Sequence, residues 1–198
     1  MRRFVVVGHR AITSSEFNLN DLCGQAGRMD VLLRCINSAF FLSHDMRRDV
    51  EIYLILQGEP DPPKTIRLLG NELKYLNPDE RSTAALLRNA LTKKIGKEEE
   101  LSTPGIYISR YSFHEVIEAL AKKSKLVYLR EDGKDFQPNE KNGDYTFVLG
   151  DDRDLTDEEE AKLQKYEPDI VSLGPKSYHS DHCIIIVNWV LDRILDPK

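Results

Sequence analysis

Residues 105–130 read GIYISRYSFHEVIEALAKKSKLVYLR. A short β-branched run at 105–110 leads to Ser112, and Glu115 follows three residues later. That is the capping-box spacing, in which each side chain satisfies a free amide at the start of a helix. Apolar residues then recur at helical intervals to about residue 123. The run at 125–130 is again apolar and β-branched, which predicts a second strand. Strand, capped helix and strand in this order are the mark of an α/β domain.

The pattern continues toward the C-terminus. DYTFVLG at 144–150 predicts a strand. Thr156 and Glu159 form a second capping box, opening a helix to about residue 166. PDIVSL at 168–173 predicts a strand, and a last helix begins near Ser180. Toward the N-terminus, FVVVG at 4–8 reads as a buried strand. From Met29, apolar residues at helical spacing predict a helix ending near 43–45. EIYLILQ at 51–57 and KTIRLL at 64–69 predict strands, separated by the turn GEPDPPK, because two prolines do not fit inside a ladder. Asn77-Pro78 has the chemistry of a helix start, with the helix running to about residue 94. IGKEEELSTPG at 95–105 reads as a polar connector. The expected fold is therefore a single α/β domain over residues 1–198, with a mainly parallel sheet covered by helices on both faces.

Composition narrows the function. Of 198 residues, 31% are charged and 40% hydrophobic, an ordinary globular balance. No apolar run reaches membrane-spanning length, so no membrane partner is expected. MRRFVVVG lacks the long apolar region of a signal peptide. Three cysteines without ligand-like spacing predict a reduced, cytoplasmic protein and no metal. The net charge of −5 argues against a protein that coats nucleic acid, while leaving room for a local basic patch.

In open parallel sheets, ligands bind beyond the carboxyl ends of the strands. Here three successive strands run into glycine: LREDG, VLGDD and SLGPKS. Neither G-x-G-x-x-G nor G-K-[ST] is present, which disfavours ordinary dinucleotide and triphosphate sites. Cys183 falls in the first turn of the last helix, where a lowered thiol pKa would suit a nucleophile, though a small buried apolar cysteine is the commoner case.

Four stretches carry a resemblance: LGPKSYHSDHCIIIVNWVLDR with FVLGDDRDL and LVYLREDG at the C-terminal end, and GRMDVLLRCINSAFFLSHD near the start. Together they resemble the archaeal tRNA (pseudouridine-54 N1)-methyltransferase family of the SPOUT class, over essentially the whole chain. The resemblance implies S-adenosyl-L-methionine as cofactor, a C-terminal trefoil knot, a homodimer, and the T-arm of tRNA as substrate. It implies a cofactor cradle of Leu129, Leu149, Gly150, Leu173, Gly174, Pro175, Lys176, Ser177, Tyr178 and Cys183. Ile184 to Leu191 would serve as core and dimer interface. Ser177 and His179 would shape the cofactor or base pocket.

The implied reaction moves a methyl group from sulfonium sulfur to N1 of a pseudouridine, which must lose its proton. Asp30 is the candidate proton acceptor or N1 anchor, and Arg28 the candidate anion ligand; an acid in the first turn of a helix is also common without any such role. His9 and Arg10 are candidate RNA contacts, with a structural histidine an equal reading of His9. Arginines at 2, 3, 10, 28, 34, 47 and 48 make the first fifty residues the expected RNA-facing half. Methylation of another RNA base, such as a pseudouridine of ribosomal RNA, and RNA binding without turnover are the competing readings.

Overall fold

The computed structural model describes residues 1–138 and 143–195. Strand β1 (Arg2–Gly8) is buried along its whole length. On one side it pairs in parallel with β2 (Val50–Leu56), and on the other with β7 (Tyr145–Gly150). Beyond β7 lie β6 (Lys125–Asp135) and then β8 (Asp169–Ser172), both parallel to their neighbours. Beyond β2 the hand changes. Strands β3 (Lys64–Leu69), β5 (Ile106–Ser109) and β4 (Glu100–Thr103) pair antiparallel. The sheet order is β4-β5-β3-β2-β1-β7-β6-β8.

Helices cover both faces. Phe4 and Val6 pack toward α1 (Met29–Phe40), α2 (Glu80–Leu91) and α5 (Ser180–Leu195). The alternate residues Val5 and Val7 pack toward α3 (Phe113–Ala121) and α4 (Asp157–Gln164). A strand apolar on both faces is what this sandwiching requires. Both predicted capping boxes are formed, at Ser112/Glu115 and at Thr156/Glu159. Among the described residues, no helix is long and apolar enough to cross a membrane.

Several expectations change. The parallel pattern holds for β2, β1, β7, β6 and β8, but β5 stands on the antiparallel side. The crossover through α3 therefore carries the chain from one wing of the sheet to the other rather than to an adjacent strand. The connector at 95–105 contains β4, an edge strand bearing Glu100 on its solvent side, which suits an edge. Helix α2 starts later than Asn77-Pro78: the Asp79 carboxylate accepts the Ser82 N–H at 2.8 Å, and the Asn77 carbonyl accepts the Thr83 hydroxyl instead. Helix α1 stops at Phe40, because Phe41 pairs with Met46 and folds the chain back.

The largest change is in β6. LREDG is not a strand followed by a loop. Leu129 and Lys134 both pair with Val171 of β8, so one strand flanks β8 twice across a register shift. Gly133 lies at the crossing, where a Cβ would sit 2.5 Å from the Val171 nitrogen. Only glycine permits that approach of two backbones.

Candidate functional site

The carboxyl ends of β6, β7 and β8 open onto a cavity of about 410 Å³. Leu129 lines it from β6, Leu149 and Gly150 from β7, and Leu173 with Lys176, Ser177, Tyr178 and His179 from the segment after β8. Cys183 closes it from α5. Gly174 and Pro175 lie in the same turn but do not line the cavity. The site is held together by Ser180 at the start of α5, whose hydroxyl donates to the carbonyls of Gly150 at 2.9 Å and Asp151 at 2.6 Å. A local sequence signal, a serine at a helix start, thus becomes a tie between α5 and the end of β7.

Cys183 does not have the chemistry of a nucleophile. Burial, reinforced by the Asp181 carboxylate, pushes its thiol up to about 11. Its Sγ lies 3.7 Å from the Tyr178 carbonyl. The thiol is a weakly polar wall of the cavity. Among the described residues, no cluster of three or more His, Cys, Asp or Glu is arranged to hold a metal.

The candidate RNA and catalytic residues gather beside this cavity rather than in it. Arg10 pairs with the Asp152 carboxylate. Arg28 Nη1 lies 3.2 Å from the same oxygen. Asp152 lines the cavity, so both arginines reach its rim through one carboxylate. Arg28 also holds Asp30 with two hydrogen bonds, at 3.0 and 3.2 Å, and Arg34 adds a third at 2.9 Å. Desolvation raises the Asp30 pKa, but the two guanidiniums outweigh it and hold the carboxyl below its ordinary range. Asp30 is therefore ionised and weakly basic.

Arg28 precedes α1 with φ of 65° and no side-chain cap. A left-handed arginine is unusual and mildly strained. Gly27 beside it also has positive φ, and a Cβ there would lie 1.8 Å from the Arg10 carbonyl. Gly27 thus packs the end of the 12–28 loop tightly against the chain just after β1.

The rest of the arginine-rich half is used internally. Arg2 reaches Asp192 and Asn188 of α5. Arg3 pairs with Glu51 at 3.0 Å. Arg47 makes a two-pronged contact with Asp192 at 2.7 and 2.6 Å. Arg48 donates to the carbonyls of Gly70 and Leu73. These four arginines hold the fold, which leaves Arg10, Arg28 and Arg34 as the cluster nearest the cavity. His9 is likewise committed: its side chain is 8% exposed, with both ring nitrogens on carboxylates, Asp151 at 3.1 Å and Glu159 at 3.0 Å. Neither nitrogen is left for a phosphate.

Sequence reasoning missed Asp151 and Asp152. The signal was present as the acidic pair directly after Gly150 at a strand end. It was submerged in the acidic run DDRDLTDEEE, which reads as a solvated face.

The family described as "Putative SAM-dependent RNA methyltransferase" matches residues 1–195. A tRNA (pseudouridine(54)-N(1))-methyltransferase of Methanocella arvoryzae is 56% identical over 194 residues, spanning 98% of this chain and 100% of the relative. Its counterpart in Methanococcoides burtonii is 46% identical over 200 residues, spanning 100% and 99%. Among solved structures, Archaeoglobus fulgidus Nep1 bound to S-adenosylhomocysteine superposes with a TM-score of 0.67 at 16% identity, covering 98% of this chain and 97% of that one. At that identity the likeness speaks to the fold.

Proposed function

The chain belongs to the S-adenosylmethionine-dependent RNA methyltransferase family that includes the archaeal tRNA (pseudouridine(54)-N(1))-methyltransferases, and from that premise we propose that it methylates N1 of pseudouridine 54 in the T-loop of tRNA. The observation that carries the site assignment is the cavity at the ends of β6, β7 and β8. Its size suits a cofactor-sized molecule. Leu129, Leu149 and Leu173 offer an apolar slot for a purine, and the turns at 150–152 and 173–178 bring main-chain groups alongside. S-adenosylmethionine, when bound, supplies a methyl group on a sulfonium sulfur. The proposed reaction is a direct transfer, in which alignment of donor and acceptor supplies much of the rate.

Arg10 and Arg28 are the proposed phosphate ligands. Their present partner, Asp152, holds the place that an RNA phosphate would take. The ionised Asp30 suits the role of N1 anchor, accepting the N1–H hydrogen bond, and the N1 proton passes to that carboxylate and on to solvent as N1 takes the methyl group. The double flanking of β8 by β6 supports threading of the C-terminal segment, the expected trefoil knot. Ile185 and Trp189 lie on the outer side of α5, opposite buried Ile184, Val187 and Leu191. That face is the proposed homodimer contact, and residues 1–198 the single domain.

The test is methyl transfer by purified protein to a T-arm stem-loop carrying pseudouridine, beside the same stem-loop carrying uridine. Product on the pseudouridine RNA is expected; product on the uridine RNA alone would overturn the base assignment. Asp30→Asn should lower turnover at least ~10-fold. Full turnover in that variant removes Asp30 from the reaction.

A further inference from the structure

One imidazole joins the ends of β1, β7 and α4. The His9 N–H donates to Asp151 Oδ2 at 3.1 Å, and His9 Nδ1 lies 3.1 Å from the other oxygen of that carboxylate. On the far side of the ring, Nε2 lies 3.0 Å from Glu159 Oε2. Each carboxylate is fixed by further donors. Asp151 Oδ1 accepts the Arg153 N–H. Glu159 accepts Gln57 Nε2 at 2.7 Å through Oε1, and the Thr156 N–H and hydroxyl through Oε2. The groups facing the ring are thus Asp151 from the turn after β7 and Glu159 from α4, with neutral Gln57, just past the end of β2, behind Glu159.

Both ring nitrogens face ionised oxygens that only accept. A neutral imidazole donates from one nitrogen and presents a lone pair at the other, so satisfying both carboxylates requires the imidazolium. The consequence reaches the cavity. Asp151 lines it, and its carbonyl receives the Ser180 hydroxyl that ties down α5. The side chain that His9 grips therefore belongs to the turn whose backbone faces the proposed cofactor.

We propose that protonated His9 is a positioning residue for the methyl-donor site, clamping Asp151 so that the 150–152 turn keeps its binding geometry. This rests on the reading of the cavity as the S-adenosylmethionine site. Hydrogen bonds donated by the ring to Asp151 and Glu159 outweigh burial and raise the imidazole pKa from 6.5 to about 9. The clamp is therefore closed throughout the neutral range. When the proton leaves to solvent at alkaline pH, one hydrogen bond is lost and two buried carboxylates lose their shared counter-charge.

The experiment is calorimetric titration of S-adenosylhomocysteine into the whole protein from about pH 6.5 to about pH 10. His9→Gln and Glu159→Gln are titrated alongside, and the wild-type imidazole nitrogens are followed by NMR. Wild-type affinity should stay level to about pH 8 and then fall by up to about tenfold per pH unit, in step with His9 deprotonation. His9→Gln should bind at least about tenfold more weakly at pH 7 and lack that step. Glu159→Gln, which removes one charge from beside the ring, should move the step to lower pH. Lys176, Tyr178 and Cys183 also line the cavity but are present in all three proteins, so any alkaline loss they cause appears in all three. A merely structural His9 would lower affinity without altering the pH profile. Binding whose profile neither variant moves, or an imidazole that titrates near 6.5, overturns the inference alone. No uptake at any pH overturns the methyltransferase reading and the inference with it. Should His9→Gln fail to fold, the shift in Glu159→Gln decides the matter.

Discussion

Asp152 pairs with two arginines at the rim of the cavity, Arg10 and Arg28, in a protein whose overall charge is −5. An acidic RNA enzyme needs its cations kept ordered and available. A carboxylate that a phosphate can displace does both. Asp152→Asn should therefore tighten binding of the T-arm stem-loop several-fold at low salt and steepen the salt dependence of log Kd, measured by fluorescence anisotropy at several salt concentrations. Unchanged affinity and slope would mean that Arg10 and Arg28 do not meet phosphate. The cost of this arrangement is visible in Arg28, whose left-handed backbone is held by the packing of Gly27 against Arg10. None of these pairings was legible from the residues alone, because Asp152 lies 142 positions from Arg10 and 124 from Arg28. The types of residue were visible; which charge faced which was not.

The elements were read well where a local rule dominates and poorly where a distant contact does. Ser112 and Thr156 each start a helix with a reciprocal cap, a relation completed within four residues. Four residues of the connector, Glu100–Thr103, became a strand because β5 offered an edge, and β6 ran on past Arg130 because β8 lies against it. The two caps are not equivalent. Ser112→Ala should cost ~1 kcal/mol, a fall in melting temperature of about 2–4 °C for a chain of this size. Thr156→Ala should cost more, since Thr156 also orients the Glu159 oxygen that holds His9. Thermal melts of the two variants check this, and equal losses would show that the cap and the histidine clamp act independently.

For the whole molecule, the His9 contact sets a pH window for stability. The imidazole pKa is raised from 6.5 to about 9, so its contribution, about 3 kcal/mol, is complete below pH 6.5 and lost as pH rises through 9. Burial opposes ionisation of Glu159, but hydrogen bonds led by His9 outweigh it and lower its pKa from 4.5 to about 2. Its contribution is complete above pH 4.5 and lost as pH falls through 2. The two describe one contact seen from both partners and are not added. Denaturant unfolding should show greatest stability between about pH 5 and 6.5, with an alkaline decline that His9→Gln removes. At the same scale, Trp189 is 56% exposed on α5, with the Arg193 guanidinium 4.8 Å from its ring centroid. Trp189→Glu should convert a dimer to a monomer in light scattering without lowering helix content, and a wild-type monomer would end the dimer proposal. What the sequence by itself determined is the α/β class, most of the strands and helices, and the two capped helices, because periodicity and capping act over a few residues. What only the tertiary structure decided is the antiparallel wing, the double flanking of β8 by β6, and the pairing of His9, Arg10 and Arg28 with carboxylates more than a hundred residues away. Hydrogen-bond ladders and buried ion pairs depend on distances in space, and many foldings of the chain bring the same residue types together in different pairs.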